Sequence, residues 1–258
     1  MNNTSQRIEW IDLSKSIAIY LVVLGHTLRT DISLVYIYGF HMPLFFFLSG
    51  LVFNESKYQD IRKFLISRFN TLVIPYVFFY LLTYLYWLLV ERNYRPINLE
   101  WWQPLIGMLQ GSQAGGLMDH NGILWFLPCL FSTELIYVLV NKIKRKGIQF
   151  IITVSLFFLG FCIKPILPWC INIAMVVHLF FWSACKIKTY IDEYVCKNTI
   201  LAMLCLWVVY VILQHVTHNR VNIATCIYGN PLVFIVSSFI AITAFSFLCK
   251  MLSCLGGG

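Results

Sequence analysis

The stretch KSIAIYLVVLGHTL, residues 15–28, decides the fold of this protein. It lies in an apolar run that is long enough to cross a bilayer, yet it begins with Lys15 and contains His26. Ionisable side chains are costly in hydrocarbon, and those in membrane spans usually face a bundle interior or a water-filled cavity. The stretch therefore predicts a membrane helix with a functional face.

The composition of the whole chain agrees with a membrane protein. Of the 258 residues, 59% are hydrophobic and only 12% are charged, whereas soluble domains carry about 25% charged residues. The net charge of +8 would raise the question of nucleic acid, but the basic residues fall in short clusters between apolar runs. This clustering is typical of cytoplasmic loops and argues against a nucleic-acid partner.

Because a span needs about 20 mostly apolar residues, the sequence predicts an all-α, polytopic bundle of about eight transmembrane helices. The predicted spans are 13–31, 33–53, 72–90, 123–140, the short 149–163, 168–185, 199–216 and 231–249. We interpret residues 1–250 as one transmembrane domain and 251–258 as a short Gly-rich tail, either natural or the mark of a shortened chain.

The loops predict the orientation of the bundle. Loops with several basic residues follow spans two, four and six, and the other loops carry fewer. The clearest clusters are Lys57, Arg62, Lys63 and Arg68, and then Lys142, Lys144, Arg145 and Lys146. The positive-inside rule therefore places these loops and both termini in the cytoplasm. A polar N-terminus without a small-residue cleavage site predicts no cleaved signal peptide.

Three polar residues of the first span share one face. His26 lies eleven positions after Lys15, which leaves the two residues ~20° apart around a helix and ~16 Å apart along it. Asp12 lies within about 60° of both by the same geometry. If Lys15 marks the cytoplasmic interface, His26 lies near the middle of the bilayer. Lys15 snorkelling to headgroups, and His26 as a hydrogen-bonded core residue, are the structural alternatives.

Two further polar residues are candidates in other spans. His41, in FHMPLFFFLSG, would lie roughly 10 Å deep in the second span, where Pro43 loosens the helix ladder. His41 and His26 are therefore expected to face one cavity, although a packing role for His41 remains open. Glu134, in the fourth span, is either functional or a structural partner of Lys15 or a histidine.

Proton transfer is the chemistry that such residues offer. Histidine exchanges a proton near neutral pH, which suits either proton movement or deprotonation of a hydroxyl that attacks an acyl donor. A cationic cytoplasmic mouth would attract an anionic donor. The nine cysteines show no C-x-x-C spacing and are interpreted as small buried residues, so we expect no metal site.

Four motifs, in order, carry a family resemblance. RIEWIDLSKSIAIYLVVLGH, FHMPLFFFLSG, RFNTLVIPY and ILWFLPCLF resemble the integral-membrane acyltransferase 3 family, and in particular its fucose 4-O-acetylase-like branch. The family signature is a basic residue, ten residues and then histidine, which Lys15 and His26 satisfy. The resemblance implies a fold of about ten helices and acetyl transfer from acetyl-CoA to a sugar hydroxyl.

The resemblance also implies roles for single residues. His26 matches the essential histidine, Lys15 its basic partner, and Asp12 the acidic residue before that partner. His41 matches the histidine of the second motif. Arg68 matches the first position of a basic R-x-x-R-like pair that would bind the donor phosphates, but Thr71 stands at the second position. The last two helices of the family have no counterpart before the final glycines.

The leading hypothesis is a multi-pass inner-membrane O-acetyltransferase that modifies O-antigen, capsule or exopolysaccharide. His26, Lys15, Asp12, His41 and Glu134 are its candidate catalytic residues, and Lys15 and Arg68 its candidate donor-binding residues. The 91–122 loop, on the outer side, is interpreted as either a segment lying on the membrane or a lid over the sugar. A proton-coupled transporter and an inactive, shortened relative are the alternatives.

Overall fold

The computed structural model describes residues 9–28, 30–58, 60–94, 99–163, 167–190 and 199–256. Regular structure in these ranges is helical, apart from one isolated antiparallel bridge between Asn222 and Ile227. The α-helices are α1 (Glu9–Leu28), α2 (His41–Val52), α3 (Ile61–Arg68), α4 (Ile74–Tyr86), α5 (Arg92–Tyr94), α6 (Gln103–Gln110), α7 (Phe126–Asn141), α8 (Lys146–Cys162), α9 (Ile171–Ile187), α10 (Thr199–Thr217) and α11 (Pro231–Gly256).

Seven helical segments of the described chain are long and apolar enough to cross a membrane. They are Glu9–Leu28, Ser33–Val52, Ile61–Tyr94, Gly122–Asn141, Pro168–Ile187, Ile200–Thr217 and Pro231–Cys254. The shorter apolar helix α8 corresponds to the short fifth span that the sequence predicts. The prediction of a polytopic helical membrane bundle is confirmed, whereas the cytoplasmic position of the termini stays a prediction.

The third segment is longer than the predicted span, because helix begins at Ile61 rather than near residue 72. Asp60 caps it by accepting a hydrogen bond from the Arg62 amide at 2.9 Å, a favoured N-cap arrangement. A π-helical turn over Phe69–Val73 joins α3 to α4. Pro75 follows it and cannot donate to the preceding turn, which explains a local change of helix type there.

The chain divides into two compact units. Unit 1 contains residues Met1–Leu51, Ser183–Asn222 and Ile227–Gly258, and thus α1, α10, α11 and nearly all of α2. In unit 1, α11 packs against both α1 and α10. The helix α11 continues to Gly256, so most of the predicted tail is helical, and Gly257 and Gly258 lie outside the described residues.

Buried polar contacts order the interior of unit 1. The Tyr210 hydroxyl donates to the Tyr36 carbonyl at 2.8 Å, and the Ser238 hydroxyl donates to the Gly39 carbonyl at 2.7 Å. A Cβ on Gly39 would lie 2.8 Å from the amide nitrogen of Gln214 and 3.1 Å from the Val35 carbonyl oxygen, so a side chain there would force these neighbours to shift. These contacts fix the turn that leads into α2.

Unit 2 contains residues Val52–Trp182 and Ile223–Cys226, and thus α3 to α8 and most of α9. Its long third segment carries a row of tyrosines at four-residue spacing, which we call the tyrosine ladder: Tyr76, Tyr80 and Tyr84. Their hydroxyls donate to the carbonyls of Met108 at 2.8 Å, Pro104 at 2.6 Å and Trp101 at 2.9 Å, respectively.

The tyrosine ladder therefore fixes the segment around α6 to the long helix. Gly107, in α6, allows the close approach, because a Cβ there would lie 2.4 Å from the Leu117 carbonyl oxygen. The predicted 91–122 loop thus contains a short helix that is packed against its own unit. Trp101 and Trp102 precede this helix and are exposed, as residues at a membrane interface often are. Within this loop, residues 95–98 lie outside the described residues.

Candidate functional site

His41 begins α2 and is buried, with 2% of its surface exposed. Its Nδ1 lies 2.9 Å from the Ile37 carbonyl oxygen. A carbonyl only accepts hydrogen bonds, so Nδ1 carries the proton and the lone pair of the neutral ring is on Nε2. The backbone contact thus fixes the tautomer and leaves Nε2 as the basic atom.

The local sequence explains why Ile37 can hold this ring. A π-helical turn over Ser33–Ile37 ends at Tyr38, and α2 begins three residues later. Pro43 lies in the first turn of α2, where its missing amide hydrogen would have had no helical partner. The break between the two helical pieces therefore leaves the Ile37 carbonyl within reach of the imidazole.

Tyr38 lies between the two predicted histidines. Its ring centroid is 4.9 Å from that of His41 and 6.2 Å from that of His26, with nearly perpendicular rings in both cases. Gly25 packs beside it, where a Cβ would be in van der Waals contact with the tyrosine ring at 3.4 Å. We call His26, Tyr38 and His41 the histidine cluster; its His26 is exposed.

Asp12 and Lys15 lie near the other end of α1, and both are half-buried. The helix is continuous from Glu9 to Leu28, so the predicted shared face holds. Lys15 is therefore ~16 Å from His26 along the axis. The structure brings His26 and His41 together but does not bring Lys15 or Asp12 to them.

Arg68 and Glu134 form an ion pair within unit 2. The Arg68 Nε lies 2.6 Å from the Glu134 Oε2, and both side chains are largely buried, with 19% and 4% of their surfaces exposed. The guanidinium also lies over the rings of Tyr58, at 4.9 Å, and Phe53, at 5.5 Å. We call these four residues the ion-pair cluster. The sequence suggested Lys15 or a histidine as the partner of Glu134 and missed Arg68.

A cavity of about 290 Å³ adjoins the ion-pair cluster. It is lined by Phe53, Glu55, Tyr58, Tyr137, Val138, Asn141 and Lys142. The Glu55 carboxylate accepts hydrogen bonds from the Tyr137 hydroxyl and, at 3.2 Å, from the Asn141 amide. We call this space the Glu55 cavity. Sequence reasoning missed it, because its walls come from two segments that are about 80 residues apart.

Another histidine of unit 2 lies between two spans and is held by aromatic rings. The His120 ring centroid is 4.7 Å from Tyr80, 6.3 Å from Tyr84 and 6.1 Å from Trp87. Both of its ring nitrogens are buried and have no hydrogen-bond partner among the described residues. Burial lowers the pKa of His120 to about 4, although the nearby Glu91 carboxylate opposes part of the shift.

The helices of the described ranges define an integral membrane protein that buries His41 and the ion pair of Arg68 and Glu134. A family model described as an acyltransferase domain matches residues 8–253. The chain therefore belongs to the integral-membrane acyltransferase 3 family, and the protein is a membrane acyltransferase. No curated protein and no solved structure matches the chain.

A resident metal has no evident ligands in the described ranges. Within them, no group of three or more His, Cys, Asp or Glu side chains is placed to hold a metal ion. Of the residues predicted for the site, the structure brings together His26 and His41 in unit 1 and Arg68 and Glu134 in unit 2.

Proposed function

We propose that this acyltransferase transfers an acetyl group from cytoplasmic acetyl-CoA to a hydroxyl of a surface or lipid-linked sugar. The acceptor would belong to an O-antigen, capsule or exopolysaccharide, and the enzyme would lie in the inner membrane. Membership of the family supports the acyl transfer, whereas acetyl-CoA and the sugar rest on the resemblance of the motifs to the fucose 4-O-acetylase-like branch.

The observation that carries the proposal is the histidine cluster. His26 is exposed at the end of α1, on the face that also bears Lys15. His41 is held in one tautomer by the Ile37 carbonyl, and Tyr38 contacts both rings. General base catalysis needs a positioned side chain within hydrogen-bond reach of the proton that it takes, and the exposed imidazole of His26, in contact with the Tyr38 ring, supports that role.

The proposed reaction starts with His26 as the general base. The imidazole takes the proton of the sugar hydroxyl while the hydroxyl oxygen forms a bond to the carbonyl carbon of the thioester. The bond between carbon and sulfur then breaks, and the thiolate of CoA leaves with the proton from His26. The products are an O-acetyl ester and free CoA, and no other reactant is consumed.

Supporting roles fall to the remaining candidates. Lys15 would draw the anionic donor to the cytoplasmic end of α1, with Asp12 setting the local charge. His41 would position Tyr38 and, through it, His26. In unit 2, Glu134 would hold the guanidinium of Arg68 near the donor phosphates, a task that Arg suits because of its planar set of donors.

The test is acetylation of surface polysaccharide in cells that carry His26→Ala. We expect acetylation to be lost at a normal level of membrane protein. His215→Ala is the matched control, since His215 is an exposed histidine in the last turn of α10 and should leave acetylation unchanged. Normal acetylation in the His26→Ala cells would contradict the role of His26.

A second measurement tests the donor and the acceptor. Membranes supplied with acetyl-CoA labelled in the acetyl group should transfer the label to isolated glycan, and the label should be released as acetate by mild base. Label that reaches no carbohydrate would contradict the proposed acceptor. Transfer that proceeds equally well with another acyl-CoA would contradict the acetyl specificity.

A further inference from the structure

The Glu55 cavity is lined by acidic, basic, amide and aromatic side chains. Glu55 and Asn141 supply hydrogen-bonding groups on one wall, Lys142 supplies a cation, and the largely buried Phe53 and Tyr58 supply aromatic edges. Pockets for drug-sized ligands occupy about 300–1,000 Å³. A cavity of about 290 Å³ therefore suits one end of a large molecule or a small molecule by itself.

The carboxylate of Glu55 is fixed in position and retains acceptor capacity. Tyr137 and Asn141 each donate one hydrogen bond to it, on different oxygens. A carboxylate offers about four lone-pair positions, so two hydrogen bonds leave room for a donor from a ligand. Glu55 itself is exposed at the cavity wall. A ligand with an amino group at its edge could donate a further hydrogen bond to this carboxylate.

Three basic side chains lie near the same cavity, one of them the Arg68 that is paired with Glu134. The Arg68 guanidinium lies on the rings of Tyr58 and Phe53, two of the lining residues. Lys57 lies over Tyr58 at 5.5 Å, and Lys142 is a lining residue with an exposed side chain. Cations at the rim of an aromatic cavity favour a ligand that joins a flat ring to phosphate groups.

We propose that the Glu55 cavity binds the adenine nucleotide end of the acyl-CoA donor. The inference rests on the proposed function for the identity of the donor. The exocyclic amine of the purine donates to Glu55, the ring lies against the aromatic wall, and Lys142 and Lys57 attract the phosphates. An uncharged sugar uses neither the lysines nor the arginine, so the acceptor fits this cavity less well.

The experiment measures equilibrium binding to the full-length protein in detergent. Three ligands are compared: acetyl-CoA, adenosine 3′,5′-bisphosphate and S-acetyl-pantetheine, which lacks the nucleotide. We expect Glu55→Gln to lower the affinity for acetyl-CoA and for adenosine 3′,5′-bisphosphate by about tenfold. This is the effect of losing one hydrogen bond to a charged group. Binding of S-acetyl-pantetheine should not change.

Asp60→Asn is the matched control for Glu55→Gln. It replaces an exposed acid by its amide in the same loop region, and asparagine preserves the helix cap. It should bind all three ligands as the wild type does.

Lys142→Gln is a second test variant, because the side chain of Lys142 is exposed and its loss should not disturb folding. Lys142→Gln should lower the affinity for both nucleotide ligands, and the loss should be larger at low salt.

Three results would overturn the proposal. One is an equal loss of S-acetyl-pantetheine binding in Glu55→Gln. Another is wild-type affinity of both variants for adenosine 3′,5′-bisphosphate. The third is competition by inorganic pyrophosphate as strong as that by the nucleotide, which would indicate a general phosphate site, including one for lipid headgroups. Failure of acetyl transfer to glycan would contradict the proposed function instead, because these assays measure binding alone.

Discussion

The histidine cluster of unit 1 and the ion-pair cluster of unit 2 accommodate titratable side chains in different ways. In unit 1, His41 is buried with its proton donated to a backbone carbonyl, and an aromatic ring connects it to the exposed His26. In unit 2, Glu134 is buried against Arg68 and aromatic rings surround the guanidinium. One cluster holds a neutral ring, and the other holds paired charges.

The difference bears on what each cluster can do. A buried charge that loses its partner is strongly destabilising, so an ion pair is suited to fixing a structure or holding an anion. A neutral histidine with a free ring nitrogen can accept a proton during a reaction. The comparison therefore favours unit 1 as the part of the chain that carries the proton transfer.

The largest effect on stability is expected for Glu134→Ala. This change leaves Arg68 buried without its partner, and breaking such a pair costs about 3–5 kcal/mol. The unfolding midpoint of the protein in detergent should fall accordingly. The double variant Arg68→Met, Glu134→Leu should recover most of the loss, because it removes both charges. A single variant as stable as the wild type would show that the pair is not structural.

A smaller effect is expected for His41→Ala, which removes a buried ring and its hydrogen bond. Such a change costs about 2–3 kcal/mol. His26→Ala is the matched comparison, and its effect on stability should be within about 0.5 kcal/mol because the side chain is exposed. Thermal unfolding of the two variants measures the difference. Equal losses would mean that His26 is as much a part of the packed structure as His41.

The pH dependence of stability is expected to come in part from His120, the histidine of unit 2 that is held by aromatic rings. Burial lowers its folded-state pKa to about 4, whereas the unfolded value is about 6.5. As the pH falls, the unfolded chain therefore takes up a proton before the folded protein does. The free energy of unfolding decreases as the pH falls from about 6.5 towards 4. Because the ring is only partly buried, we expect a loss of about 1–2 kcal/mol.

Unfolding midpoints at pH 7.5 and pH 5 measure this loss, and His120→Phe should remove it. Asp119→Asn is the control, since its carboxylate is exposed and adjacent in sequence. An unchanged pH dependence in His120→Phe would assign the titration to other groups.

The smallest effect is expected in the tyrosine ladder, where a side chain again donates to a backbone carbonyl. Tyr80→Phe removes the hydroxyl that bonds to Pro104 at 2.6 Å and should cost about 1 kcal/mol. Tyr20→Phe is the control, because 65% of its side-chain surface is exposed. Identical midpoints for the two variants would show that the ladder adds nothing to stability.

Local patterns predicted most of the fold. Runs of apolar residues predicted the spans, because the length of a membrane helix is set by bilayer thickness. The helix of the third span extends beyond the predicted residues 72–90, because the stretch from Ile61 to Arg68 is too basic to be predicted as part of a span. The tyrosine ladder was missed, yet tyrosines at positions 76, 80 and 84 lie on one helix face, and their hydroxyls need partners when buried.

The sequence predicted only those parts of the site whose residues lie on one helix or on neighbouring spans. Helix geometry placed Lys15 and His26 on one face, and the depth of His41 suggested its closeness to His26. The ion pair joins Arg68 to Glu134, which are far apart in sequence, and spacing carries no information about such a contact. The same holds for the Glu55 cavity, whose walls meet only after folding.

The tyrosine ladder has a consequence for how this enzyme can evolve. Its hydroxyls hold the carbonyls of Trp101, Pro104 and Met108, and a carbonyl is present whatever the side chain. Apart from Gly107, where a Cβ would meet the backbone, the segment around α6 can therefore exchange its side chains without losing its attachment. Substitutions can thus change the surface of this segment over a constant helical frame.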